Sequence, residues 1–452
     1  MTENQSHLFY QSRQPRPFLD RGEGIYLYDE SGKRYIDGSS GAMVSNIGHS
    51  NPAVLAKMKA QMDRATFGYR LHFRTRPSED LAARLAARMP AGLDRIFFVS
   101  GGSEAVETAE KLARQYAVTQ GQHSRWKVIS RSPAYHGGTL GALALTGGKL
   151  FAGPFAPMFR EMPHVKAPQT YLDLDNLTEE ARGIRYAEML RERIEAEGPE
   201  TVLAFIMEPV GGASTGALVA PDSYYTRIRE ICDEYGVILI YDEVMTGAGR
   251  TGTFLACEHW GITPDIVAMS KGLGAGYAPL GAVAARADMV EALLDAGGFL
   301  HGFTYAGNPL ACAAGLAVLD EMEEHGIIEH GAQMGELLKA RLEALMERYP
   351  FIGHVRGKGL LLAFEMVSDR ATMAPLPKEW NAYSELVELA YARGLIIYSR
   401  RTRGGVEGDH FLVCPPLIIT AAQIDELMAI LTDALDAFAA AHDLPVQAEA
   451  AA

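Results

Sequence analysis

Hydrophobic and polar positions change their period twice along this chain. Over "GIYLYDESGKRYID" (24–37), apolar and polar residues alternate on both sides of Asp29-Glu-Ser-Gly32, which predicts a hairpin around a polar turn. The stretch "NPAVLAKMKAQMDRA" (51–65) predicts a helix with Pro52 in its first turn. From about residue 93 short apolar runs take over: "RIFFVS" (95–100), "WKVIS" (126–130), "VLAFIM" (202–207), "VILIY" (237–241), "DIVAMS" (265–270) and "GAVAA" (281–285). Several lack alternation, as expected of strands covered on both faces. Amphipathic stretches fit between them; in "SEAVETAEKLARQYA", residues Ala105, Ala109, Leu112, Ala113 and Tyr116 share one stripe. This pattern predicts an α/β unit around a mainly parallel sheet.

After about residue 316 the pattern shifts again. Helical stretches "GAQMGELLKARLEALMERY", "WNAYSELVELAYARG" and "AAQIDELMAILTDALDAFAAA" flank the strand candidates "LLLAFEMV" and "GLIIYS". A smaller α+β domain is expected, completed by the N-terminal hairpin. The organisation read from this is residues 1–58 as an N-terminal part of the small domain, 59–315 as the large domain and 316–452 as the C-terminal part, with a frayed tail "DLPVQAEAAA".

Composition serves mainly to exclude. At 452 residues the chain exceeds one ordinary core, and 48% hydrophobic with 22% charged residues is ordinary for a soluble globular protein. A formal net charge of −14 argues against nucleic acid or an anionic membrane as partner. The cysteines (Cys232, Cys257, Cys312, Cys414) are dispersed, which is neither a disulfide framework nor a metal pattern and suits a reducing cytoplasm. The start has no signal-peptide pattern and no apolar run reaches membrane-spanning length, so a soluble cytoplasmic protein is expected.

The chemistry is expected just beyond the strands, because open α/β sheets bind ligands at the carboxyl ends of their strands. After 95–99 comes Ser-Gly-Gly-Ser-Glu-Ala (100–105), opening a helix; after 202–207 comes Glu208; after 237–241 comes Asp242; after 265–270 comes Lys271. The glycine turn with Ser103 at a helix start offers backbone donors and a dipole to a phosphate, or merely a capped helix. Lys271 is costly to bury unless paired or covalently engaged, though a solvated strand-end lysine is commoner. Together, a phosphate cradle, a carboxylate and a lysine are the parts a pyridoxal phosphate site needs. Tyr135 and His136, in "SPAYHGGTLGAL", supply aromatic rings for stacking on that cofactor. A competing motif, Gly247-Ala-Gly-Arg-Thr-Gly252, matches a dinucleotide-binding loop, but such a loop should enter a substantial crossover helix. Here "GTFLACEHWGITPD" reaches the next strand after a short segment, so the acid before the glycines is the functional group.

At these residues the chain resembles the class III aminotransferases, pyridoxal-phosphate enzymes of fold type I. The likeness runs from "YDESGKRYIDGSSG" to "FLVCPPLIIT" and includes "SGGSEAVETAEKLAR", "AYHG", "EPVGG", "YDEVMTGAGRTG", "SKGLGAGYAPLGAV" and "FTYAGNPLACAAGL". The resemblance implies Lys271 as the Schiff-base lysine and Asp242 as partner of the pyridine nitrogen, with Val244 behind the ring and Tyr135 in front. It implies that Gly102 and Ser103 hold the phosphate, that Glu208 supports the cofactor side, and that Thr304 reaches the phosphate of a neighbouring subunit, making a homodimer with shared sites; dimer and tetramer are not distinguished. The activity implied is ping-pong amino transfer from an amine or ω-amino acid to a keto acid such as pyruvate. An aminomutase, decarboxylase or phospho-lyase on the same residues is the alternative, with a non-catalytic ligand-binding protein behind it. Where a tryptophan often follows the "DG" turn in the ω-amino acid branch, this chain has Met43, which argues against bulky aromatic amines. Among "YSRRTRGGVEGDHF", Arg400, Arg401 and Arg403 are candidates for a substrate carboxylate or else form a solvated loop, and Phe18 either lines the pocket or packs.

Overall fold

The computed structural model describes residues 7–11, 14–148, 153–403 and 405–447. Three short strands open it: β1 (Leu19–Glu23), β2 (Tyr26–Asp29) and β3 (Arg34–Asp37). Seven follow: β4 (Arg95–Val99), β5 (Lys127–Ser132), β6 (His164–Lys166), β7 (Val202–Met207), β8 (Ile238–Asp242), β9 (Ile266–Met269) and β10 (Gly281–Ala285). The last third adds β11 (Ile352–Lys358), β12 (Leu361–Asp369), β13 (Ala374–Pro375), β14 (Leu395–Ile396), β15 (Tyr398–Arg403) and β16 (Glu407–Val413).

The central sheet has the order β4-β10-β9-β8-β7-β5-β6. Strands β6, β5, β7, β8 and β9 pair in parallel, while β10 is antiparallel to both β9 and β4. Two reversals leave β4 running with the parallel set, so the carboxyl ends of β4, β5, β7, β8 and β9 share one edge. Both faces are covered. Phe205, Leu239, Tyr241 and Val267 pack with Tyr186, Leu190 and Ile228 from the helices Glu179–Glu197 and Asp222–Tyr235. Their neighbours Ala204, Ile206, Ile240 and Ala268 pack with Ala105, Ala109 and Leu112 of the helix Gly102–Thr119. Each fully buried Leu, Ile or Phe stabilises by about 1.5–3 kcal/mol, so these strands hold their polar groups at the ends.

A third core joins both ends of the chain. Ile25 and Ile36 pack with Phe364, Phe411, Leu427 and Phe438. The expected hairpin forms, with the Gly32 amide donating to the Asp29 carbonyl at 2.9 Å and Asp29 Oδ1 accepting from the Ser31 and Lys33 amides at 2.9 and 3.0 Å. The helix expected near 51–65 runs Pro52–Arg64, capped by the Asn51 side chain. The segment "GLIIYS" divides: β14 pairs in parallel with β3, Leu395 opposite Ile36, and after one residue β15 enters the sheet β11-β12-β16-β15. The arginine-rich stretch is therefore mostly strand, with Arg400 opposite His410. At the tail, the Gln447 amide bonds the Arg348 carbonyl at 2.9 Å; the remainder of the expected frayed segment, 448–452, lies outside the described residues. Among the described residues no helix is long and apolar enough to cross a membrane.

Candidate active site

A cavity of about 640 Å³ opens at the shared strand edge. Its wall brings together Gly102, Ser103, Tyr135, His136, Glu208, Asp242, Val244, Lys271, Met43 and Arg400 from the residues expected on sequence grounds. Arg401 also reaches it. Phe18, Arg403 and Thr304 do not line it. Phe18 is 75% exposed, the Arg403 guanidinium donates to the Met373 carbonyl, and Thr304 is exposed outside the cavity of its own chain.

Lys271 leaves β9 with φ +43, a left-handed conformation that costs of order 1 kcal/mol or more in a residue with a Cβ. Its carbonyl accepts from the Gly274 and Ala275 amides at 3.1 and 2.8 Å, and the preceding Ser270 hydroxyl donates to the Leu280 carbonyl at 2.8 Å. The backbone is thus over-determined, leaving the amine for the cavity. Burial holds its pKa below the usual lysine range, with the Asp242 and Glu208 carboxylates opposing that shift.

Asp242 ends β8 with only 4% exposure. Its Oδ2 lies 2.7 Å from His136 Nδ1 and its Oδ1 accepts from the Val244 amide at 3.1 Å. His136 therefore stands beside the carboxylate, leaving Tyr135 as the ring of the pair with partial exposure. Alternation along the chain turns Glu243 the other way: its Oε1 and Oε2 accept from the Cys257 and Ala256 amides at 2.9 and 3.0 Å. Glu208 Oε1 accepts from the Gly212 amide at 2.9 Å, and burial raises its pKa.

The helix Gly102–Thr119 starts at the same rim, and its cap position is Gly101, so Ser103 sits in the first turn. The Ser103 hydroxyl accepts from the Gly138 amide at 3.0 Å. First-turn amides have no carbonyl behind them and are free to face an anion. A Cβ on Gly102 would fall 2.7 Å from Val244 Cγ1, whereas one on Gly101 would meet nothing within 4 Å, so the approach to the helix terminus is open. An anion-ready terminus, a buried carboxylate and an amine of lowered pKa on one wall fit pyridoxal 5′-phosphate.

Two buried arginines that the sequence did not single out hold the site's surroundings. Arg250, inside the "GAGRTG" segment, is fully buried; its Nη1 donates to the Pro415 carbonyl at 2.6 Å and its Nη2 to Asn46 Oδ1 at 2.6 Å and Ser40 Oγ at 3.1 Å. It thereby ties the segment after β3 and the segment after β16 to the stretch that follows β8, which gives that glycine-rich stretch a structural purpose. Replacing Arg250 with Met leaves these acceptors unsatisfied and is expected to lower stability by about 3 kcal/mol, read as a reduced urea midpoint. Arg356 lies beside two imidazoles that burial and its charge keep neutral, His354 with a pKa pushed down to about 4 and His410 to about 3. Above the unfolded value of about 6.5 these groups cost nothing; as pH falls from there towards 4 the unfolded chain takes up protons that the native one refuses. Stability is therefore expected to fall over that window, by at most about 1.4 kcal/mol per pH unit for each imidazole. Unfolding midpoints between pH 7.5 and 4.5 check this, and His354→Gln should flatten the slope.

The model of the family Aminotransferase class-III matches residues 10–435. An uncharacterized aminotransferase, YodT, of Bacillus subtilis is 40% identical, over 93% of this chain and 95% of its own length. The putrescine–pyruvate aminotransferase of Pseudomonas aeruginosa is 34% identical, over 94% and 91%. An (S)-enantioselective omega-transaminase from Thermomicrobium roseum superposes with a TM-score of 0.90 at 39% identity, covering 96% of both chains. The chain belongs to the class III aminotransferases, with fold type I and dependence on pyridoxal 5′-phosphate.

Proposed function

We propose that this aminotransferase moves an amino group from an amine or ω-amino acid to a keto acid such as pyruvate, in two half-reactions that share one cavity. When bound, pyridoxal phosphate supplies a reactive aldehyde and an electron sink. The observation that carries the reading is the placement of the Lys271 amine, the Asp242 carboxylate and the helix terminus around one cavity whose remaining wall is largely apolar, with Met43, Leu143, Phe155, Met245 and Tyr398.

In this reading Lys271 attaches the cofactor and afterwards carries a proton as base and acid, for which an amine of lowered pKa is suited. Asp242, held by His136 and the Val244 amide, balances positive charge on the pyridine nitrogen. Val244 and Tyr135 flank the ring, Gly102 and Ser103 receive the phosphate, and Glu208 borders the cofactor. Thr304, exposed and outside its own cavity, reaches the phosphate bound in a second copy of the chain.

The three arginines separate by their engagements. Arg401 donates to the Val406 and Lys378 carbonyls and to Asn381 Oδ1, while Arg403 is held by Met373. The Arg400 guanidinium stacks 4.8 Å from the Tyr398 ring centroid and makes no hydrogen bond or ion pair among the described residues. Arg400 is accordingly assigned to the substrate carboxylate, for which its planar fork is suited.

The relative that acts on putrescine and pyruvate supports this choice of substrates. Incubating the enzyme with pyruvate and a panel of aliphatic amines, diamines and ω-amino acids should yield alanine. No amino transfer from any donor, to pyruvate or to another keto acid, would favour a decarboxylase, aminomutase or phospho-lyase instead.

A further inference from the structure

The cavity wall at Ala213 and Ser214 belongs to the loop 209–218 that follows Glu208, yet a group from another sheet holds that loop. Within the loop, the Gly211 amide donates to the Leu218 carbonyl at 2.7 Å, and the Gly212 carbonyl accepts from the Thr215 and Gly216 amides at 3.2 and 2.9 Å. The crest is thus one tight turn. The carbonyls of Thr215 and Gly216 both meet Arg356 of β11, accepting from Nη2 at 3.1 Å and from Nε at 2.6 Å. The guanidinium is itself clamped: Nη2 lies 2.8 Å from Glu365 Oε2, the Tyr171 hydroxyl donates to the same oxygen at 2.8 Å, and the guanidinium carbon is 4.3 Å from the Tyr171 ring centroid. Arg356 and Glu365 are both buried, so this pair is little screened by solvent. Gly216 has φ +63, and a Cβ there would lie 2.7 Å from Nη2, so loop and guanidinium fit only with glycine between them.

We infer that Arg356 is a positioning residue for the substrate side of the cavity, acting through the Thr215 and Gly216 carbonyls on Ala213 and Ser214. The same turn keeps the Gly212 amide on the Glu208 carboxylate at 2.9 Å, so one guanidinium on the C-terminal sheet sets both a stretch of wall and a cavity carboxylate. Arg356 does not line the cavity itself. Three directed donors on a planar frame are needed, which a lysine ammonium does not reproduce. The inference rests on the reading that the amine donor occupies this cavity.

The double variant Arg356→Met/Glu365→Leu removes the pair without leaving a lone buried charge. Gly216→Ala keeps the pair and displaces the loop, so the inference stays testable where the double variant does not fold. In folded variants with unchanged cofactor absorbance, amide exchange over 211–217 should quicken, and KM for the amine should rise about tenfold while kcat stays within about threefold. Arg356→Lys should not restore KM. Unchanged exchange, or unchanged KM in both variants, overturns the inference. Exchange is measured without substrate, so it reports on the loop even if the amine reading fails.

Discussion

Lys271→Ala should give a folded, stable protein without transaminase turnover, the loss being at least about ten-thousand-fold. The structure separates the residue's backbone duty from its side-chain duty. Its carbonyl carries the turn through Gly274 and Ala275, and alanine preserves that. The amine makes no hydrogen bond or ion pair among the described residues, and the carboxylates its charge faces keep other partners, Asp242 in His136 and the Val244 amide and Glu208 in the Gly212 amide. Unfolding midpoints should therefore shift little while chemistry disappears. Borohydride reduction of the wild-type holoenzyme followed by peptide mass spectrometry should place the cofactor's mass on Lys271, and the variant should lack it. Retained steady-state turnover, or the mass on another lysine, would contradict the assignment.

Asp242→Asn should lower kcat by about 100- to 1,000-fold with cofactor still bound. The amide is nearly the same size as the carboxylate and can still accept from the Val244 amide, so β8 and its neighbours should not move. What is lost is the negative charge facing the cavity, together with the charge-assisted contact to His136 at 2.7 Å. A neutral partner cannot favour a protonated pyridine nitrogen. Single-turnover rates with saturating cofactor measure this directly; near-normal rates would mean that another group serves the nitrogen.

The groups named in these two experiments were legible in the sequence because each interrupts an apolar run. A buried strand excludes an unpaired carboxylate or ammonium from its interior, so "VILIY" before Asp242 and "DIVAMS" before Lys271 mark both the strand and the polar group at its end. The two-sided burial of β7, β8 and β9 followed from the same runs. The antiparallel course of β10 was not legible, since "GAVAA" reads alike in either direction. The division of "GLIIYS" between two sheets was hidden for a related reason: Leu395 and Ile397 are both buried, and periodicity does not say in which sheet. Arg250 and Arg356 were missed because their acceptors lie far away in sequence and are largely backbone carbonyls, which leave no trace in residue types. The proposal of Arg400 over its two neighbours needed the engagements of Arg401 and Arg403, which the sequence does not carry.

The parallel pairing of Leu395 with Ile36 has a consequence for the order of events during synthesis. On a ribosome the hairpin of β2 and β3 emerges before the central sheet, but the strand that completes its own sheet appears some 360 residues later. The central sheet, whose strands all lie between residues 95 and 285, can gather beforehand. Loop-closure entropy and contact order make the late docking slow, so nascent chains should spend time with Ile25 and Ile36 unsheltered, a natural point for chaperone engagement.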